Sequence, residues 1–465
     1  TLAKLSVSAL VFDYILTGPI SVVSAGQYLA GLLNELSELV QSDFRFDVNF
    51  TASMFAVLMT VYFWRKNIIG IHESSLKALR IMQINTVMLA LLLIWGPLSV
   101  LLQGKFRLPP APAVETLAFG KDALGWLEGT TLPSIGVIGL IIAFGHAILS
   151  MSGYETLAQV NREIAHPKLK NLLRAGTVIA VYSFVFASAV PFLGYMLIPD
   201  GVRPQYLNNL IGGIATHLSG PHVLTLAFHI FVVVVGILIL SGAVNTSFIG
   251  ANGILNRVAE DGVLTDWFRK PHPRYGTTHH LINLVLIFQL VTIVASQGNL
   301  LLLGEAYAFG VVWSFVMKAL GTLVLRFKEP AKREWKFPLN FHAAGIEVPV
   351  GLGLTTFALF VIAMSNLLTK QVATISGVLF TLAFYVVFVV SEKINQRKAQ
   401  LAEKGLEMFR LDHQPEVTAE VVNTRPGCVV VAVRGNTLAH LERTLHKTNM
   451  RKHDIVALSV RPLSA

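Results

Sequence analysis

The chain has 465 residues, of which 53% are hydrophobic and only 14% charged, against roughly 25% charged in a soluble domain, and its mean hydropathy is +0.61. That balance excludes an ordinary water-soluble fold and points to an integral membrane protein in a lipid bilayer. The formal net charge of +10 needs no nucleic acid to explain it, because membrane proteins gather Lys and Arg in cytoplasmic loops. The single cysteine, Cys428, excludes an intrachain disulfide and a multi-cysteine metal site.

Ten apolar segments are long enough to span a bilayer: 5–33, 49–64, 79–102, 132–154, 173–198, 223–254, 280–296, 300–325, 347–367 and 371–391. The first is read as a span and not as a signal peptide, since it is too long and lacks a cleavage site. The boundary near Leu300 is blurred, with only Gln297-Gly-Asn299 between two spans. Loop charges alternate along the chain. Arg65, Lys66, Lys77 and Arg80 fall in one loop, and Arg162, Lys168, Lys170 and Arg174 in a second. Arg257, Arg269, Lys270 and Arg274 share a third, and Arg326, Lys328, Lys332, Arg333 and Lys336 a fourth. The intervening loops hold only Arg45, Lys105, Arg107, Lys121, Arg203 and Lys370, and the first of them is acidic. This bias puts the basic loops and both visible chain ends in the cytoplasm.

Several groups are expensive at membrane depth and are functional candidates for that reason. Asp13, in the first span, precedes a Gly18-Pro19 pair able to open the backbone; it is either an ion or proton site or a structural carboxylate. In the fourth span an apolar run gives way at Ser150-Met-Ser-Gly-Tyr-Glu155 to small and polar residues. Freed backbone groups there need partners, so the stretch is either a discontinuous helix lining a solute site or a plain helix end in water. His146 and His229 read more readily as core histidines than as ligands, and Glu305 as a wet residue near a helix end. Tyr307, beside Ala308-Phe-Gly310, either packs in the core or turns its hydroxyl to the pathway. No Ser/His/Asp set, HExxH motif or phosphate-binding glycine loop occurs. No catalytic residue, cofactor or metal ligand is assigned.

Beyond the last span a charged helical run, Glu392 to Arg410, leads to a different kind of sequence. Cys428–Val433 and Asp454–Val460 read as short strands around a capped helix from Asn436 to Lys447, which implies a parallel pair in an α/β unit. About forty residues cannot close such a domain, so either the chain continues beyond Ala465 or the piece completes a sheet supplied by a partner. The expected division is a transporter domain over 1–404, a linker over 405–426 and a partial α/β segment over 427–465.

Taken together, these stretches resemble the amino acid–polyamine–organocation transporter superfamily. The Ser152-Gly-Tyr-Glu155 stretch is similar to the Phe-x-Gly-[Phe/Tyr]-Glu segment of that family's sixth helix, followed by Asn161-Arg-Glu-Ile-Ala-His-Pro167. Asn67–Ser75 resembles the loop between its fourth and fifth helices, and Arg333-Glu-Trp-Lys-Phe-Pro338 the basic loop after its tenth. The resemblance implies an all-α polytopic fold with a five-plus-five inverted repeat, ten of its helices visible here, and a small partial α/β segment on the cytoplasmic side. Counting back from the sixth helix, the family's first two helices would precede Thr1.

Two branches are implied. General amino acid permeases hold their substrate on exposed backbone of broken helices, here Ser152, Gly153 and Tyr154, with Tyr307 nearby. A potassium-uptake branch carries a pattern matched by Asp13, Tyr14, Thr17, Ser152, Glu155 and Tyr307, and ends in a universal-stress-protein-like domain that residues 427–461 resemble. Ion or proton coupling is thus expected of Asp13, Tyr14, Thr17 and Glu155. The favoured expectation is a proton- or sodium-coupled amino acid transporter in a prokaryotic inner membrane. Its alternatives are a potassium–proton symporter and a non-transporting scaffold or sensor. The resemblance leaves room for a homodimer and for a nucleotide or protein partner at the C-terminal segment.

Overall fold

The computed structural model describes residues 2–70, 75–104, 106–109, 123–131, 136–151, 153–154, 157, 164–329, 333–343, 346–406, 427–432 and 439–458. All ten expected segments contain helix: α1 (Leu2–Leu39), α2 (Val48–Ile69), α3 (Ser75–Gln103), α4 (Gly136–Ala147) and α5 (Lys168–Leu197). After a short helix α6 (Leu210–Thr216) come α7 (His222–Glu260), α8 (His279–Ser296), α9 (Leu300–Lys328), α10 (Val350–Thr369) and α11 (Gln371–Leu406). Eight of these, among the described residues, are long and apolar enough to cross a membrane. The exceptions are α2, whose end carries Arg65 and Lys66, and the 12-residue α4. Large apolar side chains such as Phe184 on α5, Phe357 on α10 and Leu379 on α11 face outward. Such surface is stable only against lipid, and the protein is an all-α polytopic integral membrane protein.

Local chemistry sets the helix ends. Asp47 accepts a hydrogen bond from Phe50 N at 2.7 Å to start α2, and Gly70, at φ 79°, closes it. The blurred boundary near Leu300 is sharp in the structure. Gln297 and Gly298 adopt positive φ, and Asn299 then caps α9 by accepting from Leu302 N at 3.2 Å. One expectation is corrected: Gly18-Pro19 does not open α1, which runs through Pro19 as a single helix. Gly18 instead permits close packing, since a Cβ there would lie 2.6 Å from Gln289 Nε2 of α8. The segment expected from 347 also begins differently. Residues Ile346–Pro349 form strand β2, paired antiparallel with β1 (Asn340–Ala343), and α10 starts at Val350. Glu347 holds this hairpin to the basic loop through Lys336 (2.6 Å) and Arg326 (3.0 Å), which keep its carboxyl below the ordinary carboxylate range.

The chain divides into two compact units, Thr1–Ile254 with Pro271–Tyr385, and Leu255–Lys270 with Val386–Ala465. The first is built around α1, which packs against α2, α8 and α9 as well as α7. Against α7 it keeps one antiparallel register along its length: Tyr14 over Gly250, Gly18 by Ser247, Tyr28 by Gly236, and Glu35 hydrogen-bonded to His229. Positions 14, 28 and 35, and their partners 250, 236 and 229, are multiples of seven apart, the repeat of a left-handed helix pair. Each tyrosine fills the space above a glycine. Elsewhere small residues let backbones meet, as at Gly26, where a Cβ would lie 2.6 Å from Ala52 Cα of α2. A second apolar cluster joins Leu92 of α3, Leu193 and Leu197 of α5, Ile214 of α6 and Val232 of α7.

In the second unit Asn395 of α11 donates to the carbonyls of Gly262 and Leu264 at 2.8 and 2.7 Å. Strands β3 (Val429–Ala432) and β4 (Ile455–Leu458) pair in parallel around helix α12 (Ala439–Lys447), as the strand–helix–strand pattern implies.

Candidate functional site

A cavity of about 630 Å³ lies within the first unit. Helix α1 supplies Ile20, Ser21 and Ser24 to its wall, and α9 supplies Leu300, Leu301, Gly304, Glu305 and Tyr307. His146 of α4, Leu240 of α7, Ala123, Asn208 and Lys370 complete it. The lining is mostly apolar, with a few polar groups facing inward, as in a small-molecule site.

Lys370 owes its position to a very short connection between two long helices. It is the only residue between α10 and α11. Its N–H donates to Asn366 O at 3.0 Å and its carbonyl accepts from Thr374 N at 2.9 Å, so both helices hold its backbone. The turn Gly125–Leu127 packs onto this corner, and Gly125, at φ 54°, is required there because a Cβ would lie 2.4 Å from Thr369 O. Lys370 is thus 2% exposed. Burial pushes its ammonium down to about 8 from 10.5, while the Glu305 carboxylate acts in the opposite direction.

His146 comes from the last turn of α4. Its Nε2 lies 3.1 Å from Ala123 O; a carbonyl only accepts, so Nε2 carries the proton. Directly after it the α-helix stops. Ile148–Met151 form a 3₁₀ turn and Gly153 stands at φ 100°, so helical hydrogen bonding is interrupted at the stretch whose sequence turns small and polar. Gly145 allows α4 to approach α10, since a Cβ there would lie 2.8 Å from Asn366 Oδ1.

The residues expected from the sequence are not all brought together. Tyr307, 4% exposed, packs with Phe12 and Leu16 of α1 and lines the cavity. Gly153 is exposed, Tyr154 half-buried, and neither is on the cavity wall. Ser152 and Glu155 lie outside the described residues. Asp13 and Tyr14 are buried in α1, Asp13 with its backbone against Gly310 and Tyr14 on Gly250. The Thr17 hydroxyl donates to Asp13 O at 2.9 Å. Sequence reasoning missed His146, Glu305 and Lys370 as a group, because each sits at the end of a different apolar segment. The signal available was the single residue, Lys370, between two full helices.

Membrane-crossing helices packed around a cavity that has an acid and a base on its wall make this a polytopic membrane protein with a polar internal site. The chain belongs to the amino acid permease family, whose sequence model matches residues 1–390. That is a family of transporters and not of enzymes. No curated protein matches the chain.

Proposed function

We propose that the protein is a secondary active transporter of amino acids, moving its solute by alternating access under proton or sodium coupling, with the cavity as its solute site. The observation that carries this reading is the presence of a cation, Lys370, and an anion, Glu305, among the residues that line one cavity. An amino acid zwitterion needs a cation for its carboxylate, an anion for its amine and apolar surface for its side chain. In a poorly hydrated cavity such charge contacts are stronger than in water. The loop charges favour a cavity open on the side opposite the basic loops.

The second reading is potassium. It would need several oxygens converging on one point. Of the set Asp13, Tyr14, Thr17, Ser152, Glu155 and Tyr307, Tyr307 reaches the cavity, Asp13, Tyr14 and Thr17 do not line it, and Ser152 and Glu155 lie outside the described residues. We read residues 1–404 as the transporter and 427–465 as an appended α/β segment. The test is uptake of radiolabelled amino acids into proteoliposomes containing the full chain, under imposed proton and sodium gradients. Gradient-dependent uptake of at least one amino acid is expected. No uptake of any of the twenty would remove the proposal.

A further inference from the structure

We propose that Lys370 receives the solute's carboxylate and takes up a proton from the bulk solution as it does so, making solute binding itself a proton-loading step. The inference rests on the amino acid reading above and adds to it the group that couples the proton. Its basis is geometric. Lys370 is held at a one-residue corner between α10 and α11, almost wholly buried, yet it borders the cavity. The corner is locked from behind by Gly125 against Thr369 O. A side chain so placed has little room to withdraw to solvent.

The titratable groups lining the cavity with Lys370 are Glu305 and Tyr307 from α9 and His146 from α4, while α1 presents only serines and an isoleucine and α7 a leucine. Glu305 favours the charged ammonium, but burial outweighs it and leaves ionisation at about 8. Near neutrality and above, a growing fraction of Lys370 is therefore the neutral amine. A carboxylate arriving beside it favours the ammonium. The amine lone pair then takes a proton from hydronium or the buffer acid in the bulk: one O–H bond breaks, one N–H bond forms, the conjugate base stays in solution, and the product is an ammonium–carboxylate pair. Glu305 is left to face the solute's amine. His146 keeps its Nε2 proton on Ala123 O and is not the donor. No electron transfer is involved, and the proton leaves again when the carboxylate departs.

The expected stoichiometry follows from an empty-site ionisation at about 8. Proton uptake per solute bound should be small at about pH 6.5 and substantially larger at about pH 8, where much of the empty site is neutral. The experiment is calorimetric titration of the full chain in nanodiscs with the amino acid it takes up best, in buffers of differing ionisation enthalpy, at about pH 6.5 and 8. In K370R the guanidinium is permanently charged, so binding should persist with no proton uptake at either pH. In K370M affinity should fall at least tenfold. If K370M does not fold, the wild-type and K370R pair still decides. Binding without proton uptake at pH 8, or uptake that K370R retains, overturns this proposal and leaves amino acid transport standing. Failure of every amino acid to bind overturns both.

Discussion

Replacing Lys370 by methionine removes a buried charge while keeping the length of the side chain, and its effect on stability can be worked out. A lysine in the unfolded chain ionises near 10.5, whereas Lys370 in the folded protein ionises at about 8. Between those two values the unfolded state holds a proton that the folded state lacks, so wild-type stability rises with pH across that window. Below it the folded state bears the whole cost of the charge, about 3 kcal/mol by the free energy equivalent of the difference. K370M should therefore be more stable than wild type by about 3 kcal/mol at neutral pH, and its advantage should shrink as pH rises from about 8 to 10.5. Thermal unfolding in detergent, followed by tryptophan fluorescence across that range, measures both. A K370M protein that is less stable than wild type at neutral pH, or a difference independent of pH, would mean that Glu305 fully compensates the charge. The reasoning about Lys370 would then fail.

Other outcomes test the packing. G26A puts a methyl 2.6 Å from the Ala52 backbone, and overpacking of about 1–3 kcal/mol should exceed the gain of about 1 kcal/mol from removing a helical glycine. G242A, with nothing within 4 Å, should instead gain roughly 0.5–1 kcal/mol; equal unfolding midpoints for the two would contradict the close contact of α1 and α2. E35A takes away the partner of His229 Nδ1, and His229 Nε2 already lacks one among the described residues. A loss of about 1–3 kcal/mol is expected, and full stability would show that the α1–α7 pair does not depend on this contact.

The helices were legible because lipid demands long apolar runs, and the same demand made the loop charges readable. What a linear reading could not supply was convergence. Asp13 stood out as a carboxylate in an apolar helix and Tyr14 through the resemblance; they lie against Gly310 of α9 and Gly250 of α7, off the cavity wall. Gly18-Pro19 looked like a break, but Gly18 is spent on contact with Gln289 and the helix continues. The α1–α7 register lies in the sequence as Tyr14, Tyr28 and Glu35 against Gly250, Gly236 and His229, in steps of fourteen and seven, but it has meaning only once the two helices are known to pair. After His146 the α-helix stops where the sequence turns small and polar, which both readings of that stretch, a discontinuous helix and a plain helix end, require. Lys370 was passed over as one more loop cation. Its loop is a single residue, and that brevity is what turns it inward.

The central claim is that the amino acid travels through the cavity bounded by α1, α9 and Lys370. The chain has one cysteine, Cys428, outside the residues matched to the family. In a C428S background, S24C places a thiol on the cavity wall. Its rate of labelling by a membrane-impermeant maleimide should fall when a transported amino acid is added, with half-protection at the concentration that half-saturates uptake. Labelling unchanged at saturating concentrations of that amino acid would contradict the claim.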